Sequence, residues 1–278
     1  MEQIDSLMFI EEIKSNNYPL KFLCEDDHSY FIKIRSSSTG YIDIIYETVA
    51  FQLAKYLELP IPEANFIKLV KGSYSTNQIN FNKSEIFEGT IGFGSKEVKN
   101  HNIITKYNFI INNKGDYNRI LNPLDFILIG IFDFHLANLD RYEDNFNLIF
   151  HPVEKGKKDK IVAIDNVAIF NNPSQANSFK PSSSNVLSKN ILKSNLGRKL
   201  LYYYFQDANI TFEEVSDNYF SKIDAFPEIV NKTFETFPEE WRCMDGLKER
   251  IIEFLINKER IVNLNEELTK YFYLTIKK

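Results

Sequence analysis

The sequence predicts an α+β fold with two lobes, a strand-rich first lobe that contains one helix and a helical second lobe. Short apolar segments alternate with turn residues through about residue 120, whereas the second half carries apolar residues at helical spacing. Strands and helices segregated along the chain are typical of an α+β domain. A chain of 278 residues is near the upper size of one hydrophobic core, so we predict one domain with lobes at residues 1–115 and 116–278.

The first lobe is predicted to contain a β-hairpin, one helix and a further strand. Residues 20–23 and 29–34 lie on either side of a turn-like acidic sequence, which indicates the hairpin. Asp43 is placed to cap a helix over residues 43–57, in which apolar side chains recur at four-residue steps. A strand is predicted at residues 63–70, after two prolines that end the helix.

The second lobe is predicted to begin with a long apolar helix. Asn122 and the proline after it form a good cap and first turn for a helix over residues 123–137. Two short strands, at residues 146–150 and 160–164, are predicted to form a hairpin around a polar loop. The last third of the chain is predicted to be helical, with one helix over residues 239–257.

Charge and composition argue against several classes of protein. Acidic residues outnumber basic ones by 38 to 33, and this net charge of −5 argues against direct binding of nucleic acid. Cys24 and Cys243 are far apart in the sequence, which fits a reducing compartment better than a disulfide framework. The first residues lack the basic segment of a signal peptide, and no apolar segment reaches the roughly 18–20 residues that cross a bilayer. We therefore expect a cytoplasmic protein with no membrane partner.

The most informative segment, residues 137–149, lies between the long apolar helix and the first strand of the second lobe. It contains Asp140 and, five positions later, Asn145, and Asp165 follows at the end of the next strand. Phosphoryl transfer from a nucleotide needs a carboxylate near the acceptor hydroxyl and hard oxygen ligands for Mg²⁺. The three side chains meet both needs, and the hairpin would bring Asn145 and Asp165 side by side, where they could share a metal ion.

A cation that binds the phosphates is expected from the first lobe, and Lys33 is the candidate. It lies inside a predicted strand, and by alternation its side chain points away from those of Ile32 and Ile34. Glu47, on the helix that follows, could pair with Lys33 and aim it at a nucleotide, as a lysine and a glutamate do in protein kinases. Taken singly, Lys33 fits a strand lysine that faces water equally well, and Glu47 fits a solvated helix residue.

These residues, in this order, resemble the HipA-like kinases of the protein-kinase-like superfamily. In particular they resemble the shorter branch that lacks the extra N-terminal subdomain of the full-length HipA toxins. The resemblance rests on Lys33, on residues 47–63, on residues 137–148 and on residues 163–166, and it extends over roughly residues 14–175. It implies a two-lobed protein-kinase-like fold.

The same resemblance implies a role for each candidate residue. Asp140 corresponds to the catalytic aspartate, Asn145 and Asp165 to the Mg²⁺ ligands, and Lys33 to the residue that contacts the phosphates of ATP, with Glu47 holding it. The implied function is ATP- and Mg²⁺-dependent phosphoryl transfer to a Ser or Thr hydroxyl of a protein.

Other functions stay open at this point. The same fold supports a small-molecule or lipid-headgroup kinase, and a pseudokinase that senses nucleotide or acts as an interaction module. Full-length HipA proteins are toxins paired with a DNA-binding antitoxin, so the resemblance also makes an antitoxin-like protein a candidate partner within a toxin–antitoxin system.

The sequence departs from protein kinases in two places. It has no glycine triplet near the N-terminus, and residues 14–18 take the place of the loop that covers the phosphates. HipA-like kinases also lack that triplet. Asn166 follows the predicted metal-binding aspartate, where protein kinases have Phe-Gly.

Three further polar residues are expected to support the site rather than to react. Asp133 and His135 interrupt the apolar helix, and we expect them to form hydrogen bonds in the core beneath the predicted catalytic loop. Arg141, next to Asp140, could contact a phosphate or brace that loop, and we favour the bracing role.

Overall fold

The computed structural model describes residues 1–14, 18–80, 83–153, 157–171, 189–242 and 244–276. Residues 15–17, the centre of the predicted phosphate-covering segment, and Cys243 lie outside this part of the chain. The described residues form an α+β fold, with strands and one long helix first and mostly helices afterwards, as predicted. Within the same residues, no helix is both long and apolar enough to cross a membrane.

Five strands of the first lobe form a closed barrel. They are β1 (Gln3–Glu12), β2 (Leu20–Cys24), β3 (Ser29–Lys33), β4 (Ala64–Lys68) and β5 (Ile91–Lys96). Their hydrogen-bonded order is β1-β2-β3-β5-β4, and parallel pairing of β1 with β4 closes the barrel. β2 and β3 form the predicted hairpin, and β4 lies within the strand predicted at residues 63–70, whereas β1 and β5 have no counterpart in the sequence predictions.

Strand β5 is hard to recognise in the sequence because Gly92 and Gly94 give it a poor strand composition. Both glycines allow neighbouring strands to approach closely. A Cβ atom at Gly92 would lie 2.6 Å from the main-chain oxygen of Lys33, and one at Gly94 would overlap the side chain of Ile67. β5 therefore packs tightly against β3, with Phe93 opposite Lys33, and fixes the strand that carries the lysine.

Helix α1 (Ile42–Tyr56) is the helix predicted in the first lobe, but the predicted cap is wrong. Its N-cap residue is Tyr41, and Asp43 lies inside the first turn. There the Asp43 carboxylate accepts a hydrogen bond from Thr39 Oγ1 at 2.8 Å, and its negative charge suits the positive end of the helix dipole. Most of α1 is buried, because its side chains belong to the same apolar core as the helices of the second lobe.

The second lobe combines a small sheet with a group of helices. The sheet contains β6 (Asn102–Ile103), β7 (Leu148–Val153) and β8 (Lys158–Ala163), in that order. The helices are α2 (Lys114–Asn118), α3 (Pro123–His135), α4 (Asn195–Asp207), α5 (Phe212–Phe220), α6 (Phe226–Thr236), α7 (Leu247–Ile256) and α8 (Lys258–Ile276). The β7–β8 hairpin and α3 confirm predicted elements, with slightly different ends. The lobe boundary at residue 115 stays a prediction, and β6, which precedes it, pairs with β7.

The single helix predicted over residues 239–257 is wrong. A short 3₁₀ turn at Glu239–Trp241 comes first, and α7 begins only at Leu247. Gly246 separates the two with a φ of 68°, in the left-handed region that a regular right-handed helix does not contain. Apolar periodicity alone did not reveal this break.

One apolar core extends through both lobes. Helix α1 of the first lobe packs against α6 of the second, and the buried Trp241 lies edge-on to Phe66 of β4, with 5.2 Å between the ring centroids. A second, smaller core fills the barrel. Because helices from both lobes share a core, the residues at the lobe junction are held in a defined geometry.

Candidate active site

Lys33, Glu47 and Asp165 meet at the junction between the lobes, and we call these three residues the Lys33 cluster. Lys33 Nζ donates a hydrogen bond to Glu47 Oε2 at 3.0 Å and another to Asp165 Oδ1 at 2.7 Å, so one ammonium group bridges two carboxylates. β3 carries the lysine, α1 carries the glutamate, and the aspartate follows β8. The Lys33 and Glu47 side chains are only 13% and 5% exposed, which rules out the alternative of two solvated surface residues.

Burial and charge act in opposite directions on this cluster. Burial lowers the pKa of Lys33, but the attraction of Asp165 and Glu47 outweighs it and leaves that pKa raised. Burial raises the pKa of Glu47, and Lys33 offsets only part of the effect. For Asp165, Lys33 outweighs the effect of burial and leaves the pKa lowered. Lys33 and Asp165 are therefore charged at neutral pH, and the cluster has more carboxylate groups than cations.

Glu47 also holds the backbone next to Asp165. The main-chain N–H of Asn166 donates to both carboxylate oxygens of Glu47, at 3.1 Å and 3.0 Å. Asp165 itself has a φ of 55°, in the left-handed region that few residues other than glycine adopt. A first-lobe helix thus fixes both the lysine and the segment that carries the predicted metal ligand, and backbone strain of this kind is common at functional sites.

Asp140 and Asn145 lie together in the α3–β7 loop, which we define as residues 136–147. Asn145 Nδ2 donates to Asp140 Oδ1 at 2.7 Å and to the main-chain oxygen of Asp140 at 3.0 Å. Asn147 Nδ2 donates to Asp140 Oδ2 and to the same main-chain oxygen, both at 3.1 Å. Each carboxylate oxygen of Asp140 therefore accepts one amide N–H, which sets the orientation of the carboxylate.

Asn147 has no predicted role, because an asparagine at this place is typical of a turn residue. Its φ of 44° is also left-handed, a conformation that asparagine tolerates better than most residues. The signal that could have found it is its spacing, because Asn145 and Asn147 are separated by one residue and both follow Asp140.

Arg141 connects the α3–β7 loop, which carries Asp140, to the segment that carries Asp165. Its fully buried guanidinium forms an ion pair with Asp133 on α3. Its Nη2 donates to the main-chain oxygens of Ile164 and Asp165, at 2.8 Å and 3.3 Å, and to Asn166 Oδ1 at 2.9 Å. One side chain thus ties the α3–β7 loop to the segment after β8, which confirms the predicted bracing role.

The β7–β8 hairpin makes the second connection between these segments. Leu148, at the start of β7, is the antiparallel partner of Ala163, at the end of β8. Beyond that pair, the N–H of Ile164 donates to the main-chain oxygen of Asn147 at 3.0 Å. Among the described residues, no hydrogen bond runs directly from Asp140 or its asparagines to the Lys33 cluster, so Arg141 and the hairpin set their relative position.

Asp133 and His135 form hydrogen bonds in the core, as predicted. Asp133 Oδ1 accepts a hydrogen bond from Asn138 Nδ2 at 2.9 Å, and burial raises the pKa of Asp133 to about 6. The two ring nitrogens of His135 lie 3.0 Å from the hydroxyl of Tyr219 and 2.9 Å from the main-chain oxygen of Leu255. Burial lowers the pKa of His135 to about 3, so its ring is neutral near pH 7 and stabilises the core through these hydrogen bonds.

Asn145 and Asp165 each have an oxygen atom of the kind that binds a magnesium ion. Asn145 uses its amide nitrogen on Asp140, and Asp165 uses Oδ1 on Lys33, so Asn145 Oδ1 and Asp165 Oδ2 accept no hydrogen bond from the described residues. Both are hard oxygen ligands, and one or two such protein ligands together with phosphate oxygens are the usual Mg²⁺ environment in nucleotide sites.

A family model described as HipA-like kinase matches residues 13–273, nearly the whole chain. The chain belongs to the HipA-like kinase family. This confirms the resemblance drawn from the sequence, and it makes the protein a phosphotransferase of the kinase type. No curated protein matches the sequence of this HipA-like kinase.

Solved kinase structures share the fold of this HipA-like kinase. The proinflammatory kinase CtkA of Helicobacter pylori matches with a TM-score of 0.54 and 13% identity, over 97% of this chain and 98% of its own. The Golgi casein kinase matches with a TM-score of 0.51 and 11% identity, over 96% and 73%. Its structure with Mn/ADP bound gives 0.50 and 11%, over 95% and 74%. The predicted two-lobed protein-kinase-like fold is confirmed.

Proposed function

We propose that this HipA-like kinase transfers the γ-phosphoryl group of ATP, in a Mg²⁺-dependent reaction, to a Ser or Thr hydroxyl of a protein. The observation that carries the proposal is the Lys33 cluster, connected through Arg141 to a loop in which Asp140 is oriented. A kinase needs a cation on the phosphates, oxygen ligands for a metal and a carboxylate at the acceptor, and one set of residues in this fold supplies all three.

Each residue has a chemical task in this proposal. Asp140 is the catalytic residue, which orients the acceptor hydroxyl and takes its proton as the hydroxyl oxygen bonds to the γ-phosphorus and the bond to ADP breaks. Lys33 binds the phosphates through Nζ, and Glu47 holds it from the buried side. Asn145 and Asp165 would hold Mg²⁺, which would supply positive charge against the phosphates of the nucleotide.

A second observation supports ATP as the nucleotide and a divalent cation as the metal. One structure with the same fold, the Golgi casein kinase, contains Mn/ADP, a divalent cation and a nucleoside diphosphate. In this chain the oxygens of Asn145 and Asp165 are of the type that Mg²⁺ and Mn²⁺ both accept. The acceptor class and an antitoxin-like partner rest on family membership alone and stay predictions.

Transfer of labelled phosphate from γ-labelled ATP tests the proposal. Wild-type protein is incubated with Mg²⁺ and a cell extract separated into protein and metabolite fractions. We expect label on Ser or Thr of protein, lost in Asp140→Asn and retained in Asp144→Asn, an exposed aspartate of the same loop that pairs with Lys106. Label in the metabolite fraction alone would show a small-molecule kinase, and absence of transfer despite nucleotide binding would show a pseudokinase.

A further inference from the structure

The second lobe contains a separate cavity where the end of α4 meets the start of α5 and the end of α8. Its volume is about 460 Å³, within the range of about 300–1,000 Å³ that is usual for ligand sites. Five aromatic side chains and one carboxylate distinguish its lining, and we call it the aromatic groove: Tyr202, Phe205, Phe212, Phe272, Tyr273 and Glu213.

The base of the aromatic groove is a cluster of phenylalanine rings. Phe212 and Phe272 are stacked, with 4.8 Å between their centroids and 12° between their planes. Phe205 lies edge-on to both, at 6.0 Å and 4.8 Å. At the rim, Tyr202 and Tyr273 remain 43% and 37% exposed. Such a surface attracts cations, because the face of an aromatic ring carries negative charge density.

Glu213 determines the charge of the aromatic groove. The hydroxyl of Tyr273 donates a hydrogen bond to Glu213, which holds the carboxylate at the rim and raises the pKa of the tyrosine. Among the described residues that line the groove, none is a lysine or an arginine. Aromatic faces combined with one carboxylate and no cation are complementary to a positively charged ligand.

We propose that the aromatic groove binds an arginine side chain of the acceptor polypeptide. More than half of the lining residues are exposed, so the groove is too open to bury most of a free small molecule, but it suits a side chain that reaches in from another protein. Arginine fits better than lysine, because its planar guanidinium can stack on Tyr202 or Tyr273 while it hydrogen-bonds the carboxylate of Glu213.

Helix α4 relates the groove to the active site. At the start of α4 the N–H of Asn195 donates to Glu143 Oε1 in the α3–β7 loop at 3.2 Å. The last turns of α4 line the aromatic groove. The 13 residues of α4 span about 20 Å. An extended polypeptide needs at least about six residues to cover that distance, so we place the arginine at least about six residues from the phosphorylated hydroxyl. This last step rests on the proposed function, whereas the preference of the groove for arginine does not.

Calorimetric titration with two short blocked peptides tests the groove without ATP. One peptide is Leu-Arg-Leu, and the other carries citrulline, the neutral isostere of arginine. For the full-length protein we expect the arginine peptide to bind at least about fivefold more tightly than the citrulline peptide. Equal affinities, or no binding of either peptide, would overturn the proposal. Tetramethylammonium that binds as tightly as the arginine peptide would show a small-cation site and would overturn it too.

Matched variants locate the binding site. Glu213→Gln and Tyr202→Ala should each weaken the arginine peptide about fivefold to tenfold. Glu214→Gln is the control, because it removes the same charge from the next residue but keeps the capping box with Thr211 and lies outside the groove lining. An equal loss of affinity in Glu213→Gln and Glu214→Gln would mean that only general charge attraction was measured, and the proposal would fall.

The variant Asp140→Asn separates this inference from the proposed function. It should lose phosphoryl transfer and still bind the arginine peptide with wild-type affinity. Peptide binding without transfer in the wild type would overturn the proposed function and leave the groove in place. Transfer to protein that is equally efficient in wild type and Glu213→Gln would instead overturn the role of the groove in acceptor binding.

Discussion

The two buried ionic groups at the lobe junction differ in charge balance and in access to solvent. Lys33 faces two carboxylates, and one of them, Asp165, keeps a third of its side chain exposed. Arg141 faces the single carboxylate of Asp133, and both side chains are fully buried. A second carboxylate near solvent suits the binding of a metal ion, and the Lys33 ammonium suits the anionic phosphates of a nucleotide. A balanced and fully buried ion pair instead suits a structural role, so the two groups are expected to respond differently to mutation.

The largest effect is expected from Arg141→Met, which leaves Asp133 buried without its cation. We expect the free energy of unfolding, measured by urea denaturation at pH 7.5, to fall by about 3–5 kcal/mol. Lys232→Met is the control, because Lys232 and its partner Glu228 are both 70% exposed and the change should leave stability close to that of the wild type. Similar losses in the two variants would show that Arg141 is no more structural than a surface lysine.

Lys33→Met should have the opposite profile, with a large loss of activity and a smaller loss of stability. We expect phosphoryl transfer to fall about 100-fold. Stability should fall by only about 1–2 kcal/mol, because Glu47 can take up a proton and keep its hydrogen bond from Asn166. Lys96→Met, which removes a partly exposed pair with Glu63, should retain activity. A stability loss as large as that of Arg141→Met would erase the distinction between the two groups.

The pH dependence of stability should distinguish Asp133 from other carboxylates. Burial raises its pKa from 3.8 to about 6, so between these values the folded protein binds a proton at Asp133 that the unfolded chain does not. This group therefore lowers stability as pH rises from 4 to 6. In Asp133→Asn the titration is absent, so the unfolding free energy of the variant relative to wild type should rise over that range, on the order of 2 kcal/mol. A flat difference would contradict the burial of this carboxylate as the cause.

The sequence was most informative where function depends on local spacing. Strand alternation around Lys33, the helix position of Glu47 and the order Asp140, Asn145, Asp165 indicated which residues to expect together, and the structure places them in two connected groups. Their catalytic and metal-binding roles stay predictions. Features that depend on distant contacts were missed. β5 is a strand because its glycines fit against β3 and β4, and the chain turns at Gly246 in spite of continuous apolar periodicity. Neither cause is visible in a local window of sequence.

The smallest effect is expected from Asn147→Gly. Glycine keeps the left-handed backbone at this position and removes the amide that binds Asp140 Oδ2 and the main-chain oxygen of Asp140. We expect kcat to fall about tenfold with little change in the KM for ATP, because the carboxylate loses one of its two orienting contacts. The melting temperature should stay close to that of the wild type. An unchanged kcat would show that Asn145 alone orients Asp140.

A thermal melt of wild type and Asp165→Asn, each with and without Mg²⁺ and ATP, tests the central claim most directly. Ligand at 100 times its dissociation constant adds about 2.7 kcal/mol, a shift of roughly 5 °C for a chain of this size. We predict that shift in wild type and in the loop control Asp144→Asn, and a much smaller one in Asp165→Asn. An equal shift in Asp165→Asn, or no shift in any of the three proteins at millimolar nucleotide, would contradict the assignment of this cluster as the site of metal and nucleotide.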